Sequence, residues 1–253
     1  MHQKRRTSSI YGGVFSLYWQ LPYEWRRQLF RLARPRTFSA WQSARINAEA
    51  SEDDYSLVSM DKHRCIFIHI PKCAGISITK SLFGNRGGGH KTVIEYQLIF
   101  PSQVFESYFK FTFVRNPWDR LVSSFLFLKQ HGLTEVDHAW ARENLDAFND
   151  FGSFVVHWLT DLSIYSFPHF IPQIQFLKDP ITQKLCVDFV GRYETLDQDY
   201  SRICEKIGVS APLGRQNRTS DRREDYRDYY NEHTRRVVAG IYQEDIDMFG
   251  YRF

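Results

Sequence analysis

Residues 66–82 read IFIHIPKCAGISITKSL. The run before Pro71 is apolar without alternation, as in a strand covered on both faces at the centre of a parallel sheet. It stops at Pro71-Lys72. Three small residues, Cys73, Ala74 and Gly75, then lead into a stretch with helical patterning. A loop of small residues lets backbone N–H groups approach an anion, and the start of a helix adds the positive end of its dipole. Lys72 brings a mobile charge to the same place. The order is not GxxxxGK[ST], because the lysine precedes the glycine. The alternative for this stretch alone is an ordinary strand-to-helix turn with a solvated lysine.

Outward from this loop the chain alternates strand and helix. FKFTFV (109–114) is a second buried strand and LCVDFVG (185–191) a third. Helices are expected over 76–83, 117–130 and 195–207, with others near 143–159 and 231–248. Strands separated by helices predict a three-layer α/β fold with a central, mostly parallel sheet flanked by helices. Ligands of such sheets lie at the carboxyl ends of the strands. The second strand ends in RNPWDRLVSSF (115–125). Asn116 suits an N-cap and Pro117 the first helical position. Trp118, Leu121, Val122 and Phe125 make the apolar stripe, so Arg115 and Ser123 can reach one side, where a fork of donors and a hydroxyl suit a phosphate. The alternative is a plain ion pair between Arg115 and Asp119.

Of the 253 residues, 43% are hydrophobic, 25% charged and 16% aromatic, the composition of a packed enzyme-like body. No apolar run approaches the ~20 residues of a membrane span, and the N-terminus lacks the pattern of a cleaved signal. Cys65, Cys73, Cys186 and Cys204 form no CxxC pair or zinc spacing, so reduced core thiols and a cytoplasmic location are expected. Net charge is +4, but residues 1–50 carry nine Lys/Arg against two Glu, leaving the remainder at −3. This divides the chain into a basic N-terminal segment with a polar linker, residues 1–60, and a body, residues 61–253. Within the segment, LPYEWRRQLFRLARP predicts an amphipathic helix with Trp25, Leu29, Phe30 and Leu32 beside Arg26, Arg27 and Arg31. It reads as a docking element for an anionic membrane surface or a polyanion, or else as a terminal helix packed on the body with solvated arginines. No nucleic-acid partner is expected.

A Pro-Lys small-residue loop followed roughly forty residues later by R-N-P-x-x-R-x-x-S resembles the carbohydrate sulfotransferase family that includes uronosyl, chondroitin and bacterial enzymes. DFVGRYETLDQDYSRICEKIGV and YRDYYNEHTRRVVAGIYQEDIDMFGY are similar to it as well, so the likeness covers roughly residues 64–251. The resemblance implies a P-loop-like fold and 3′-phosphoadenosine-5′-phosphosulfate (PAPS) as sulfuryl donor, with no metal. Carried over residue by residue, Lys72 and the backbone of Cys73, Ala74, Gly75, Ile76 and Ser77 would hold the 5′-phosphosulfate, with Lys72 also catalytic. Arg115 and Ser123 would hold the 3′-phosphate, and Arg218 and Ser220 would lie in a loop over the nucleotide. Many relatives have Thr where Cys73 stands and a hydroxyl where Ile76 stands; Ser77 and Thr79 are the residues that can compensate. His90, after Gly87-Gly88-Gly89 and about 25 residues before the motif arginine, is similar to the catalytic histidine of the uronosyl enzymes and is the expected base. His69 is a rival. His169 and Gln173 in PHFIPQ, with His69, are candidates to line the acceptor cleft, against a structural role for the same residues. The expected acceptor is a hydroxyl of a saccharide or glycolipid. Two other readings are a P-loop kinase, which needs a Mg-binding Ser/Thr where Cys73 stands, and a catalytically silent nucleotide-binding protein working through its basic N-terminus.

Overall fold

The computed structural model describes residues 17–46, 51–130, 132–214 and 225–253. Three parallel strands, β1 (Cys65–Ile68), β2 (Phe109–Val114) and β3 (Phe189–Arg192), lie in the order β1-β2-β3. Cys65 pairs with Phe109 and Ile68 with Thr112 on one side of β2, and Phe111 with Phe189 on the other. All four residues of β1 are buried, as are the last five of β2, which is why these segments read as unbroken apolar runs. Thr112, the one hydroxyl in β2, donates to Ile68 O at 2.8 Å, so its burial leaves no donor unpaired.

The helices in chain order are α1 (Tyr23–Ala33), α2 (Pro35–Ile46), α3 (Val58–His63), α4 (Gly75–Phe83), α5 (Val93–Ile99), α6 (Ser102–Ser107), α7 (Pro117–Lys129), α8 (Glu135–Asn144), α9 (Phe151–His157), α10 (Leu196–Ile207), α11 (Glu232–Ile241) and α12 (Gln243–Phe249). One apolar core joins the sheet to α4, α5 and α10 through Ile66, Phe67, Phe111, Ile78, Tyr96 and Ile203. A second joins α7 to α9 and α11, with Val122 and Phe125 against Phe154, Phe170 and Val238.

Four segments depart from the sequence reading, each for an identifiable reason. The expected helix at 143–159 is two helices, because a Thr134–Asp137 capping box starts α8 early and the Asp150 carboxylate caps Ser153 N to start α9. The C-terminal helix breaks at Tyr242, whose hydroxyl donates to Phe170 O at 2.7 Å. The third strand begins at Phe189 rather than residue 185, since Leu185 pairs antiparallel with Lys178 instead. The stretch SEDDYSLVSMD is not all linker: Leu57 and Met60, at the start of α3, are buried in the main core.

Candidate active site

β1 gives way to His69, Ile70, Pro71 and then the loop before α4. Lys72 and Ala74 both take left-handed backbone angles, φ 67° and 62°, and Ala74 is the N-cap residue of α4. Left-handed residues other than glycine are strained by about 1–3 kcal/mol each and persist only where their surroundings enforce them. Alternating them with ordinary residues turns successive N–H groups toward one concavity, the form of an anion nest. Gly75 is dictated by contact: a Cβ there would fall 1.8 Å from the His69 ring.

Asn116 caps α7 by accepting from Trp118 N, as the sequence predicts, and its amide nitrogen donates to Arg252 O at 2.8 Å. With the helix start so braced, Arg115 at the end of β2 points back at the first loop. Its Nη1 donates to Lys72 O at 3.0 Å, its Nε pairs with Asp119 at 2.7 Å, and its guanidinium lies 3.9 Å from the Tyr193 ring centre. The ion pair with Asp119 is thus present, and it leaves Nη2 buried and without a partner among the described residues. Ser123 is buried on the same helix.

Arg120, the second arginine of the motif, carries no expectation from the sequence. It is 2% exposed, donates from Nε to Pro71 O at 3.1 Å, and buries an Nη2 with no partner among the described residues. Tyr193 and Phe127 were missed as well; Lys72 Nζ lies 3.8 Å from the Phe127 ring centre. The available signal for Tyr193 was its place just beyond the carboxyl end of β3, beside the other two strand ends.

Three histidines converge on this region. The ring centres of His69 and His90 are 4.4 Å apart, and those of His90 and His169 are 5.6 Å apart. His90 Nδ1 lies 3.2 Å from His69 O. A carbonyl only accepts, so Nδ1 carries the hydrogen and the neutral ring keeps its lone pair on Nε2. The surrounding protein and the charges of Arg120 and Lys72 pull His90 down to about 4, against its bond to His69 O and the Asp137 carboxylate, which act the other way. The residue as a whole is exposed, while its ring lies against those of His69 and His169. His69 and His169 are buried outright, and desolvation followed by neighbouring positive charge holds both well below the ordinary imidazole range. His169 stacks between Phe127 and Phe167 at 5.2 Å from each.

Cys73 turns its thiol inward to Gln173 Oε1 at 3.3 Å, and burial pushes that thiol up to about 12, so its side chain serves the core and not the mouth of the loop. Thr79 does not stand in for a missing loop hydroxyl: it is fully buried and its Oγ1 donates to Ile76 O at 3.3 Å. Gln173 is fully buried too. Its Oε1 accepts from Arg115 N at 2.9 Å and its Nε2 donates to Arg115 O at 2.9 Å, while its backbone N–H is held by Asp245. That amide clamps the two loops together from below. Arg218 and Ser220 lie outside the described residues. Among the described residues no group of three or more His, Cys, Asp or Glu is placed to hold a metal ion, and no helix is long and apolar enough to cross a membrane.

The site thus joins a strained, nest-like loop and a helix start to three cationic side chains and an imidazole with an open lone pair. A family model described as the sulfotransferase family matches residues 55–252, which include all of these residues. Mouse carbohydrate sulfotransferase 11 is 24% identical over 250 residues, covering 77% of this chain and 66% of the relative. Mouse carbohydrate sulfotransferase 12 is 28% identical over 170 residues, 58% of this chain and 41% of the relative. An uncharacterized protein of Archaeoglobus fulgidus is 32% identical over 114 residues, 44% of this chain and 77% of the relative. The chain therefore spans just under two thirds of the first of these relatives and less than half of the second. No solved structure matches it significantly. On the family match and the geometry it encloses, this chain belongs to the sulfotransferase family.

Proposed function

We propose that the chain moves a sulfuryl group from PAPS to a hydroxyl of a saccharide or glycolipid acceptor. The observation that carries this reading is the hydrogen bond from Arg115 Nη1 to Lys72 O, which ties the two anion-directed segments into one site across 43 residues of sequence. PAPS has an anion at each end, a 3′-phosphate and a 5′-phosphosulfate. The residues present fit such a ligand: Arg115 Nη2 and Arg120 Nη2 are buried donors without partners among the described residues, in a place where an anion would satisfy them. The carbohydrate sulfotransferases among the relatives support a glycan acceptor.

When bound, PAPS supplies an activated sulfuryl group on a phosphate leaving group. The loop N–H groups of residues 73–77 and Lys72 would hold the 5′ end, and Lys72 would neutralise charge as it develops on the departing phosphate. Arg115 and Ser123 would hold the 3′-phosphate. Arg120 backs the loop from beneath, keeping Pro71 O in place and adding positive potential. His90 Nε2 would take the proton of the attacking hydroxyl, a role worth ~10²–10⁴-fold in rate. His169 and His69, beside that ring, are buried enough to shape the acceptor's approach without titrating near neutral pH.

Calorimetric titration tests the donor: PAP is expected to bind without magnesium and more tightly than Mg-ATP. Transfer from radiolabelled PAPS to a panel of desulfated glycans and glycolipids tests the reaction. Tighter binding of Mg-ATP would overturn the reading in favour of phosphoryl transfer.

A further inference from the structure

We infer that α1 is a membrane-docking element that seats its outward face on an anionic lipid surface. The sequence gives this helix an apolar and a basic set of residues, and the fold uses them in an unusual sense. Tyr23, Arg26, Arg27 and Phe30 turn toward the body. The Tyr23 hydroxyl donates to Phe100 O, Arg26 reaches Gln97 and lies 5.1 Å from the Trp19 ring centre, Arg27 reaches Ile99 O, and Phe30 stacks on Trp41. Trp25, Leu29 and Leu32, spaced i, i+4 and i+7, form the opposite stripe and are 67%, 43% and 77% exposed. A helix that only closed the fold would bury this stripe and leave its arginines in water. Here two arginines are held at the body and three large apolar side chains face out.

The surroundings select the occupant. Arg31, Arg34 and Arg36 are exposed at the end of the stripe, giving positive charge beside apolar surface, the combination that anionic bilayers attract and retain. Leu32 also borders an open cleft of about 420 Å³ between α1 and α2, lined by Arg31, Pro35, Phe38, Ser39 and Gln42. A polyanionic glycan would use the arginines and gain little from Leu29 or Leu32. A bilayer uses both.

The test is co-sedimentation of the full chain with vesicles of phosphatidylcholine alone or with a third phosphatidylserine, at low and high salt. Binding to the phosphatidylserine vesicles is expected, weakening with salt because the arginines are exposed. The triple variant Trp25→Ser, Leu29→Ser, Leu32→Ser should lose roughly tenfold or more of that binding, since apolar insertion carries it, and should keep the wild-type thermal unfolding. Arg31→Gln, Arg34→Gln, Arg36→Gln should remove the salt-dependent part and leave a weaker residue on both vesicle types. The inference is overturned if the full chain stays in the supernatant, or if the apolar variant binds vesicles as the wild type does. It is equally overturned if the wild type is a dimer that the apolar variant converts to a monomer, because a second copy then covers the stripe. Heparin binding that displaces the vesicles and falls with the apolar variant would assign the face to a glycan instead.

Discussion

His90 reaches the site because Gly88 lets its loop lie directly on α5: a Cβ at residue 88 would fall 2.1 Å from the Tyr96 hydroxyl. The bond from Nδ1–H to His69 O then fixes which nitrogen is free. A base of this kind acts in the transition state, so His90→Ala is expected to lower kcat by about 10²–10⁴-fold while PAP affinity stays nearly unchanged. Lys72→Ala should impair both, because the proposed function has that ammonium meet the ligand before and during transfer. The pH dependence carries a sign that can be checked. In the proposed role as base the neutral ring is the active form, so rate is lost as pH falls through the His90 pKa. That pKa is depressed toward about 4 in the free protein, so the acid limb of kcat/KM should lie well below the 6.5 of an unperturbed imidazole. A bound anion favours the imidazolium, so the limb of kcat should sit at higher pH than that of kcat/KM. Full activity of His90→Ala, with loss in His69→Ala or His169→Ala, would move the base to another ring of the cluster.

Between elements, the site depends on the carboxyl ends of β1 and β2 being pinned to each other, and Arg115 does this with three separate contacts: Asp119, Lys72 O and the Tyr193 face. A lysine keeps the charge but has no planar fork, so it cannot serve Asp119 and Lys72 O together and still offer a donor outward. Arg115→Lys is expected to weaken PAP binding by about tenfold or more, a charge-assisted bond being worth roughly 1.5–3 kcal/mol. Adenosine 5′-phosphosulfate, lacking the 3′-phosphate, should lose much less; equal losses for both ligands would mean that the pinned loops had come apart. This scale also marks where the sequence was informative. β2 and α7 were legible to within a residue because a doubly buried strand, Asn116 as cap and Pro117 at the first helical position all agree there. The helix breaks after Asn144 and at Tyr242 were less visible, since tertiary partners decide them: Leu145 is driven fully into the core, and the Tyr242 hydroxyl seeks a carbonyl 72 residues away. α5 was overlooked although Thr92 and Glu95 spell a capping box. The convergence of Lys72 and Arg115 at neighbouring strand ends was legible. Gln173 was not, because a buried amide that clamps two loops looks in sequence like one that faces a substrate.

At the scale of the molecule, the boundary at residue 60 is sharp in charge and composition, yet contacts run across it. Arg45 pairs bidentately with Asp61 at 2.8 Å, Gln42 donates to Ile99 O at 2.9 Å, and Glu24 accepts from Ser102 N at 2.7 Å. Tyr23, Trp41 and Ala44 pack on the main apolar core. Most of these contacts fall on α5 and the Ile99–Ser102 turn, and α5 begins three residues after His90. The polar partners would be rehydrated if the segment were removed, so the main loss would be apolar cover and the half-buried Arg45–Asp61 pair. Deleting residues 1–50 is therefore expected to leave a folded domain whose Tm falls by several degrees, each 1 kcal/mol being worth about 2–4 °C at this size. Nucleotide affinity, which the proposed function assigns to Lys72, Arg115 and Ser123 at and beyond the strand ends, should change little. Turnover should fall more than affinity, because the element that seats the His90 loop has lost its outer support. Calorimetric melting, PAP titration and transfer rate on the same truncated protein separate these outcomes. An unchanged Tm with unchanged turnover would make the segment an independent attachment, whereas a chain that no longer folds would make residues 17–46 part of the catalytic body itself.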